Sequence, residues 1–415
     1  MEKRQFLKLL SLGFVMAPTI VPSISATPNL LSSGNDEEFW EEIRKSYTIK
    51  TDYINLENGY YNFIPNVTMA NYQKHLEYMN SEASYYMRTR LNQDKIATRK
   101  LLASFVGCDY EELIVTRNTT ESLDTVIAGI NWKEGDEAIM AQQDYGSMLD
   151  MFKLQARRFG MVNKVISVPN HPKTDDEIVD LYSKAITPRT KLIMVCHMIN
   201  ITGQILPIEK ICAMAHAKGV EVMVDGAHAV AHINFNIKDL GCDYYGSSLH
   251  KWLSVPLGAG LLYVKKDKIG GLWQMFGDSG FADTDIQKLN HTGTHPVATE
   301  LTITDAIDFQ NMIGRKRKED RLQFLKSYWV EKVRAHPNVI LNTPLEAGRS
   351  CGIANVGIKN MKPSLLASTL LERYKIWTVA IDYANVRGVR VTPNVYNTTA
   401  ELDQFAAAIL ELAGS

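Results

Sequence analysis

Lys251 lies in the sequence context that most suggests covalent chemistry. It follows Ser247-Ser248-Leu249-His250 and precedes the turn Pro256-Leu257-Gly258-Ala259-Gly260. A solvated lysine has a pKa of about 10.4, but burial or a nearby cation lowers that pKa and makes the amine nucleophilic. We therefore predict that Lys251 is a nucleophilic amine in a pocket. The alternative is an ordinary lysine in an exposed loop.

Asp225 offers a partner for this lysine. It ends the apolar run Val222-Met223-Val224 and precedes Gly226-Ala227-His228. Open α/β sheets bind ligands at the C-terminal ends of their strands. A carboxylate there can keep a pyridine nitrogen protonated, and the charged ring then stabilises a carbanion. A helix N-cap is the alternative for Asp225 alone, but together with Lys251 it indicates a cofactor.

A third segment, Thr116-Arg117-Asn118-Thr119-Thr120-Glu121-Ser122, predicts a helix start. Hydroxyl groups and free backbone N–H groups at a helix N-terminus suit an anion such as phosphate. Asn118 and Glu121 also resemble a capping box. Capping alone is the alternative, although capping and phosphate binding can occur at one helix start.

Short apolar runs alternate with helical stretches between residues 97 and 265. This alternation is typical of βαβ units, a mostly parallel sheet and helices on both of its faces. The predicted strands are Glu137–Ala141, Lys164–Val168, Lys191–His197, Val220–Asp225 and Gly260–Val264.

The pattern changes near residue 300. Residues 299–334 form one long helical pattern, and the remainder mixes predicted strands (339–342, 353–356, 386–391) with helices (363–373, 400–412). We predict an α/β protein with a large, mostly parallel sheet domain and a smaller α+β domain.

Composition excludes several classes of function. The chain has 415 residues and a formal net charge of −1, so it lacks the basic character of a nucleic-acid-binding protein. Its densest basic run, residues 315–318, is predicted to be a solvated helix face. The ten histidines show no metal-binding spacing, and the five cysteines form no disulfide framework.

The first 26 residues resemble a signal peptide. A charged start, Glu2-Lys3-Arg4, precedes an apolar stretch from Phe6 to about Val21, and cleavage is predicted after Ser25 or Ala26. The segment Lys3–Lys8 resembles a twin-arginine export motif with lysine in place of the first arginine. The sequence therefore predicts export to the periplasm, with a cytoplasmic protein as the alternative.

Together these segments resemble the class V family of pyridoxal phosphate-dependent aminotransferases, and within it the isopenicillin N epimerase-like branch. The resemblance extends from about Tyr53 to the C-terminus. It rests on five segments in this order: Thr116–Glu121, Asn200–Gly203, Asp225–His228, Ser248–Lys251 and Val389–Asn397. It implies the cofactor pyridoxal 5'-phosphate, a fold of type I and an active site shared between the subunits of a homodimer.

The resemblance also implies a role for each matching residue. Lys251 would form the Schiff base and move the α-proton, with Asp225 at the pyridine nitrogen and His228 near the ring oxygen. Arg390 would bind a substrate carboxylate. The other cofactor contacts would be Thr119, Thr120, Ser248 and His250 at the phosphate, Asn200 beside the ring, and Thr294 where a neighbouring subunit reaches the phosphate.

Two segments depart from the family pattern. Many relatives stack a histidine on the ring directly after an acidic residue, but this chain has Asp144-Tyr145. We expect Tyr145 to stack, with Gln143 as the alternative. Desulfurase relatives carry a nucleophilic cysteine before the arginine, and the stretch 374–390 contains none. Its absence there argues against desulfurase chemistry.

The predicted organisation is a signal peptide (1–26), an N-terminal segment of the small domain (27–67), a large cofactor domain (68–300) and a C-terminal small domain (301–415). The predicted function is catalysis on an amino acid or amine through an external aldimine and an α-carbanion, by an epimerase, racemase or aminotransferase. A lyase of the same family and a cofactor-holding binding protein without turnover are the alternatives. No bound metal, nucleic acid or stable membrane insertion is predicted.

Overall fold

The computed structural model describes residues 36–277 and 280–414, so the predicted signal peptide lies outside the described residues. The strands are β1 (Ile54–Asn55), β2 (Leu113–Thr116), β3 (Glu137–Ala141), β4 (Val162–Ile166), β5 (Thr190–Cys196), β6 (Glu221–Asp225), β7 (Tyr244–Ser248), β8 (Gly260–Val264), β9 (Val339–Leu341), β10 (Ala354–Ile358), β11 (Ile376–Trp377), β12 (Val379–Tyr383) and β13 (Val386–Val391).

Helices fill most of the remaining described chain. They are α1 (Asp36–Lys45), α2 (Asn66–Thr89), α3 (Leu91–Val106), α4 (Thr119–Gly129), α5 (Gly146–Phe159), α6 (Asp175–Ala185), α7 (Ile208–His216), α8 (Ile237–Leu240), α9 (Val297–Ile313), α10 (Arg315–Val333), α11 (Pro363–Tyr374) and α12 (Thr399–Gly414). Residues 43–415 form one compact unit, which contains every element except the first turns of α1.

The main sheet has seven strands in the order β2-β8-β7-β6-β5-β3-β4. Strands β7, β6, β5, β3 and β4 are parallel, and β8 runs antiparallel to both of its neighbours. Every residue of β3, β6 after its first position, and β8 is buried. Burial on both faces explains their continuous apolar sequences. The predicted mostly parallel sheet is confirmed.

The second sheet has four strands, all from the C-terminal part of the described chain. Its order is β12-β13-β10-β9, with all pairs antiparallel. Strand β1 pairs in parallel with β11, and Glu57 forms a bridge to Thr392 just beyond β13. The segment after β1 therefore lies beside the end of β13. The predicted domain boundaries at 67/68 and 300/301 stay predictions.

The single helix predicted over residues 299–334 is wrong. Two helices, α9 and α10, meet at Gly314, whose φ of 89° is favourable mainly for glycine. The predicted solvated face at residues 315–318 is also wrong in part, because Lys318 is only 4% exposed.

Within the described residues, no helix combines the length and the apolar character needed to cross a membrane. The same part of the chain holds no cluster of three or more acidic, histidine or cysteine side chains suited to a metal ion.

Candidate active site

The edge of the main sheet at the C-terminal ends of β6 and β7 brings two predicted residues together. Asp225 is the last residue of β6, and Lys251 follows the end of β7. The two strands are adjacent and parallel, so their C-terminal ends lie at the same edge. The charges of Lys251 and Asp225 are close enough to affect each other's pKa. The structure therefore brings Lys251 and Asp225 together, as predicted.

The loop that carries Lys251 is held by several hydrogen bonds. Leu249 N–H donates to the carbonyl oxygen of Ala259 at 2.9 Å, and Ser254 N–H donates to that of Lys251 at 3.1 Å. The side-chain amide of Asn62 donates to the same Lys251 carbonyl. Ser254 has a φ of 59°, an unfavourable value for a residue with a Cβ. These contacts keep the lysine backbone in one position.

Burial tunes the ionisable groups around the lysine. It lowers the pKa of Lys251 to about 8, although Asp225 opposes this shift. The neutral, nucleophilic amine is therefore far more populated than in a solvated lysine. Burial raises the pKa of Asp225, and the cation on Lys251 opposes that shift as well. Burial and the same cation lower the pKa of His228 well below its usual value.

His228 is the closest side-chain neighbour of the lysine amine in the hydrogen-bond network. Its Nε2 lies 3.1 Å from Lys251 Nζ, and its Nδ1 accepts a hydrogen bond from Trp252 Nε1 at 3.3 Å. The imidazole is 4% exposed and the indole is fully buried. The structure thus places the three predicted catalytic residues, Lys251, Asp225 and His228, at one site.

The start of α4 and the end of β7 form the predicted phosphate cradle. Thr119 N–H donates to Ser248 Oγ at 2.9 Å, and the two hydroxyl oxygens lie 2.7 Å apart. Asn118 caps α4 by accepting the N–H of Glu121 at 2.9 Å. A Cβ at Gly260 would lie 2.7 Å from Asn118 Cα, so glycine is required for β8 to approach the helix start. Capping thus occurs at this helix start, and phosphate binding there stays a prediction.

His250 and Thr120 complete this region of the chain. Nδ1 of His250 is buried and has no hydrogen-bond partner among the described residues. Burial and the adjacent Lys251 lower its pKa to about 4, so the ring is neutral near pH 7. A buried polar atom without a partner is costly, so Nδ1 is available to a ligand. Thr120 is partly buried in the first turn of α4.

Arg390 near the end of β13 is already paired with a carboxylate. Its Nε donates to Glu57 Oε2 at 3.1 Å, its Nη2 donates to Glu57 Oε1, and its Nη1 donates to the Asn200 carbonyl at 3.2 Å. The Arg390 and Glu57 side chains are 9% and 6% exposed. A Cβ at Gly59 would lie 2.8 Å from Arg390 Cζ, so the backbone there lies against the guanidinium. Two of the five guanidinium N–H groups remain for a ligand.

The two candidates for ring stacking have different environments. Tyr145 precedes α5 and is 46% exposed. Gln143 is buried, and its amide donates to Asn385 Oδ1 at 2.9 Å while its carbonyl oxygen accepts from Val168 N–H at 3.0 Å. The Gln143 side chain thus holds two chain segments together, which leaves Tyr145 as the stacking candidate. Thr294 is exposed, and its predicted role toward a second subunit stays a prediction.

Residues 58–62, which follow β1 in the chain, lie against the site. Asn58 N–H donates to Thr392 Oγ1 at 2.6 Å, and the Tyr396 hydroxyl donates to Asn58 Oδ1 at 2.7 Å. Asn62 contacts both Tyr396 and the carbonyl of Lys251. Residues 58–62 therefore connect the end of β13 with the lysine loop.

Four residues of the site do not follow from the sequence motifs: Glu57, Asn62, Trp252 and Lys318. Lys318 Nζ donates to the carbonyl of Trp252 and, at 3.0 Å, to Gln310 Oε1. The helical spacing of Lys318 with the buried Leu322 and Leu325 is the one signal that could have indicated its burial. Glu57 and Asn62 carry no such signal, because their partners are distant in sequence.

Replacing Lys318 with methionine should change how stability depends on pH. Burial lowers the Lys318 pKa from 10.5 to about 7. Between these values the unfolded chain holds a proton on Lys318 that the folded chain lacks. Stability therefore increases as pH rises through this range, and the full penalty applies below pH 7. Lys318→Met should have a melting temperature that rises less between pH 7 and about 10 than that of the parent.

Lys316→Met is the matched control, because Lys316 is exposed on the same helix. Its melting temperature should follow the parent at each pH. If the melting temperatures of the parent and of Lys318→Met changed with pH in parallel, the assignment of a buried Lys318 with a lowered pKa would be contradicted.

The family model for aminotransferase class-V matches residues 63–405. An isopenicillin N epimerase from Amycolatopsis lactamdurans is 29% identical over 334 residues, which cover 76% of this chain and 84% of that protein. A probable cysteine desulfurase from Methanothermobacter thermautotrophicus is 22% identical over 401 residues, with 90% and 98% covered.

A solved structure has a similar fold. It is a variant of C-DES with glycine covalently linked to its PLP cofactor, and it matches with a TM-score of 0.79 at 19% identity. The match covers 88% of this chain and 98% of that one. At this identity the likeness concerns the fold, which is that of the type I pyridoxal phosphate enzymes.

The residues at the sheet edge fit this cofactor. Lys251, just after β7, is a partly buried lysine with a lowered pKa, and Asp225 is a buried carboxylate at the end of β6. The start of α4 presents backbone N–H groups, and the buried Nδ1 of His250 has no partner among the described residues. These are an amine for a carbonyl carbon, an anion for a ring nitrogen and donors for a phosphate.

Proposed function

We propose, from the premise that this chain belongs to the aminotransferase class-V family and binds pyridoxal phosphate, that it removes the α-proton of an amino acid, as an epimerase, racemase or aminotransferase does. The observation that carries the proposal is the position of Lys251, with a pKa lowered to about 8, beside Asp225 and His228 at one sheet edge.

Bound pyridoxal phosphate supplies an electron sink for the carbanion left by proton removal. The chain's own residues hold it and move the proton. Lys251 Nζ is the proton acceptor, because burial keeps an appreciable fraction of this amine neutral. Asp225 would pair with the ring nitrogen. Thr119, Thr120, Ser248 and His250 would hold the phosphate, and Asn200 and Tyr145 would flank the ring.

Arg390 supports an amino acid as the substrate. Two of its N–H groups remain after its bonds to Glu57 and Asn200, and a carboxylate can accept from both. The pocket at Arg390 would thus hold the substrate carboxylate next to the Glu57 carboxylate. Binding of a simple amine without a carboxylate would leave these N–H groups unused.

The epimerase relative favours a reaction that returns the proton to the α-carbon. Desulfurase chemistry is disfavoured because it needs a reactive thiolate. Burial raises the pKa of all five cysteines, and it does so to about 12 for Cys108 and Cys212. A lyase of the same family that is not a desulfurase and a cofactor-holding binding protein without turnover remain the rival functions.

The test is exchange of the α-proton in heavy water. Cofactor-loaded protein is incubated with single L- and D-amino acids, and loss of the α-proton signal is followed by NMR. We expect exchange with at least one amino acid, and inversion of configuration would identify an epimerase. Cofactor binding without exchange for any amino acid would support a binding protein and contradict the proposal.

Asp225→Asn should slow this exchange by roughly 10²- to 10³-fold, the range for losing one electrostatic partner at a reacting centre. The cofactor should still bind, because Lys251 and the phosphate contacts are intact. Exchange is measured by NMR and bound cofactor by its visible absorbance. An undiminished rate would show that Asp225 only accepts the N–H of Ala227, a bond that the structure contains at 3.0 Å.

We also propose a homodimer in which Thr294 of the partner subunit reaches the phosphate site. Several large apolar side chains are exposed on the described chain: Tyr60, Leu257, Trp273 and Phe276. A continuous patch of such side chains is typical of a protein contact surface, and a homodimer would cover it.

Export to the periplasm is the proposal for location, and it rests on residues 1–26. Cleavage after Ser25 or Ala26 should give a mature protein that starts at Ala26 or Thr27. Arg4→Gln should trap the precursor in the cytoplasm if the twin-arginine route is used. Cell fractionation and N-terminal sequencing test this. A parent protein found only uncleaved in the cytoplasm would contradict export, and cleavage that persists with that route blocked would indicate the general secretory route.

A further inference from the structure

Two hydrogen bonds join Trp252, His228 and Lys251 in a line. Trp252 Nε1 lies 3.3 Å from His228 Nδ1, and His228 Nε2 lies 3.1 Å from Lys251 Nζ. An indole N–H can only donate a hydrogen bond. Nδ1 of His228 must therefore accept, so it carries no proton in this arrangement.

The position of the proton on His228 follows from this constraint. A neutral imidazole has one N–H, which must then be on Nε2. A doubly protonated ring would direct its Nδ1–H at the indole N–H. It would also add a charge to a ring that is 4% exposed and lies near the Arg390 cation. The Nε2–H tautomer is the form that satisfies both neighbours.

We propose that Trp252 is a positioning residue that fixes His228 as the Nε2–H tautomer, so that His228 donates a hydrogen bond to Lys251 Nζ and the lysine amine accepts it with its lone pair. An ammonium group has no lone pair, so it cannot accept the Nε2–H. Two hydrogen-bond donors would then face each other. The Trp252–His228 pair therefore favours the neutral amine. With the cofactor bound, the same N–H would be available to an oxygen acceptor on it.

A second histidine holds the indole in place. The His232 ring lies against Trp252, with centroids 3.7 Å apart and an interplanar angle of 32°. His232 Nδ1 donates to the His228 carbonyl at 2.9 Å, and Nε2 accepts from Gly352 N–H at 2.8 Å. A Cβ at Gly352 would lie 2.9 Å from His232 Nε2, so the backbone approaches the ring through a glycine. Lys318 holds the Trp252 carbonyl.

The charged and titratable groups that face His228 are few. Lys251 and Arg390 oppose its protonation, as do the neighbouring His232 and His250. The Asp225 carboxylate lies at the same sheet edge, and its charge raises the pKa of Lys251 against the effect of burial. Loss of the indole N–H would leave both tautomers open to His228 and would remove the preference for the neutral amine.

The test reads the tautomer directly. Full-length mature protein labelled with ¹⁵N at histidine is studied by long-range ¹H–¹⁵N correlation NMR, without and with pyridoxal phosphate, and His228 is assigned with His228→Gln. We expect the Nε2–H pattern for His228 in the parent protein in both states. An Nδ1–H pattern or a doubly protonated ring in the parent would overturn the proposal whether or not any variant folds.

Variants add a second readout. Trp252→Phe should show a mixture of His228 tautomers. Its rate of cofactor capture at pH 7 should fall about five-fold, the effect of losing one hydrogen bond, and should recover near pH 9. Trp329→Phe is the matched control, because Trp329 is equally buried and its Nε1 has no hydrogen-bond partner among the described residues. An unchanged tautomer in Trp252→Phe, or an equal rate loss at both pH values, would contradict the proposal.

The measurement without cofactor does not depend on the proposed function. If the protein bound no pyridoxal phosphate, the proposed function would fail while the His228 tautomer could still be read. If the cofactor bound and exchange occurred but His228 carried its proton on Nδ1, the proposed function would stand and this inference would fail.

Discussion

Lys251→Ala is expected to lower α-proton exchange by about 10⁴-fold, the upper range for loss of an acid–base group. The variant loses the amine that attaches the cofactor and the base that takes the proton, and both functions belong to one Nζ atom. Borohydride reduction followed by peptide mapping should find the cofactor on Lys251 in the parent protein. In the variant the cofactor should separate from the protein during gel filtration.

Lys266→Ala is the control for this experiment. Lys266 is exposed, forms an ion pair with Glu111 at 3.2 Å, and is not among the residues assigned to the site. Its exchange rate and its attached cofactor should equal those of the parent. Reduced cofactor on a lysine other than Lys251 would refute the assignment.

Glu57→Ala is expected to reduce the free energy of unfolding by about 3–5 kcal/mol, the usual result of removing one partner of a buried ion pair. Arg390 would keep a buried charge without its carboxylate. A bound substrate carboxylate can supply the missing charge, so ligands should stabilise this variant more than the parent. Melting temperatures in the presence of alanine and of ethylamine, which lacks a carboxylate, measure the effect.

Alanine should raise the melting temperature of Glu57→Ala more than ethylamine does. Equal effects of the two compounds would show that Arg390 does not meet a substrate carboxylate. Arg390→Lys is the companion variant, since it keeps the charge but loses the planar fork of donors. It should raise KM for amino acids more than it lowers kcat.

The main sheet could be predicted because its central strands are buried on both faces. The predicted bounds of β3 and β8 match the structure. Those of β5 differ by one residue at each end, and those of β6 differ by one residue at the start. Strand β7 was missed, because Tyr-Tyr-Gly-Ser-Ser carries no aliphatic pattern. Its glycine and serines are small because α4 packs closely there: a Cβ at Gly246 would lie 2.8 Å from Leu123.

The site was predictable where local sequence carries the chemistry. Asp225 and Lys251 each lie next to a strand end, and adjacent parallel strands bring such ends together. Glu57 was not predictable, because its partner Arg390 is 333 residues away and no local pattern indicates a buried ion pair. The burial of Lys318 was hidden by its position in a run of basic residues, where only the helical phase distinguishes it from Lys316.

The contacts of residues 57–62 with the end of β13 also set the order of events during synthesis. Arg390 is made 333 residues after Glu57, and Thr392 is made 334 residues after Asn58. The carboxylate of Glu57 and the amide of Asn58 therefore have no partners until the segment at the end of β13 has been made. The last strand of the main sheet ends at Val264, so this sheet can form in the nascent chain before these contacts exist.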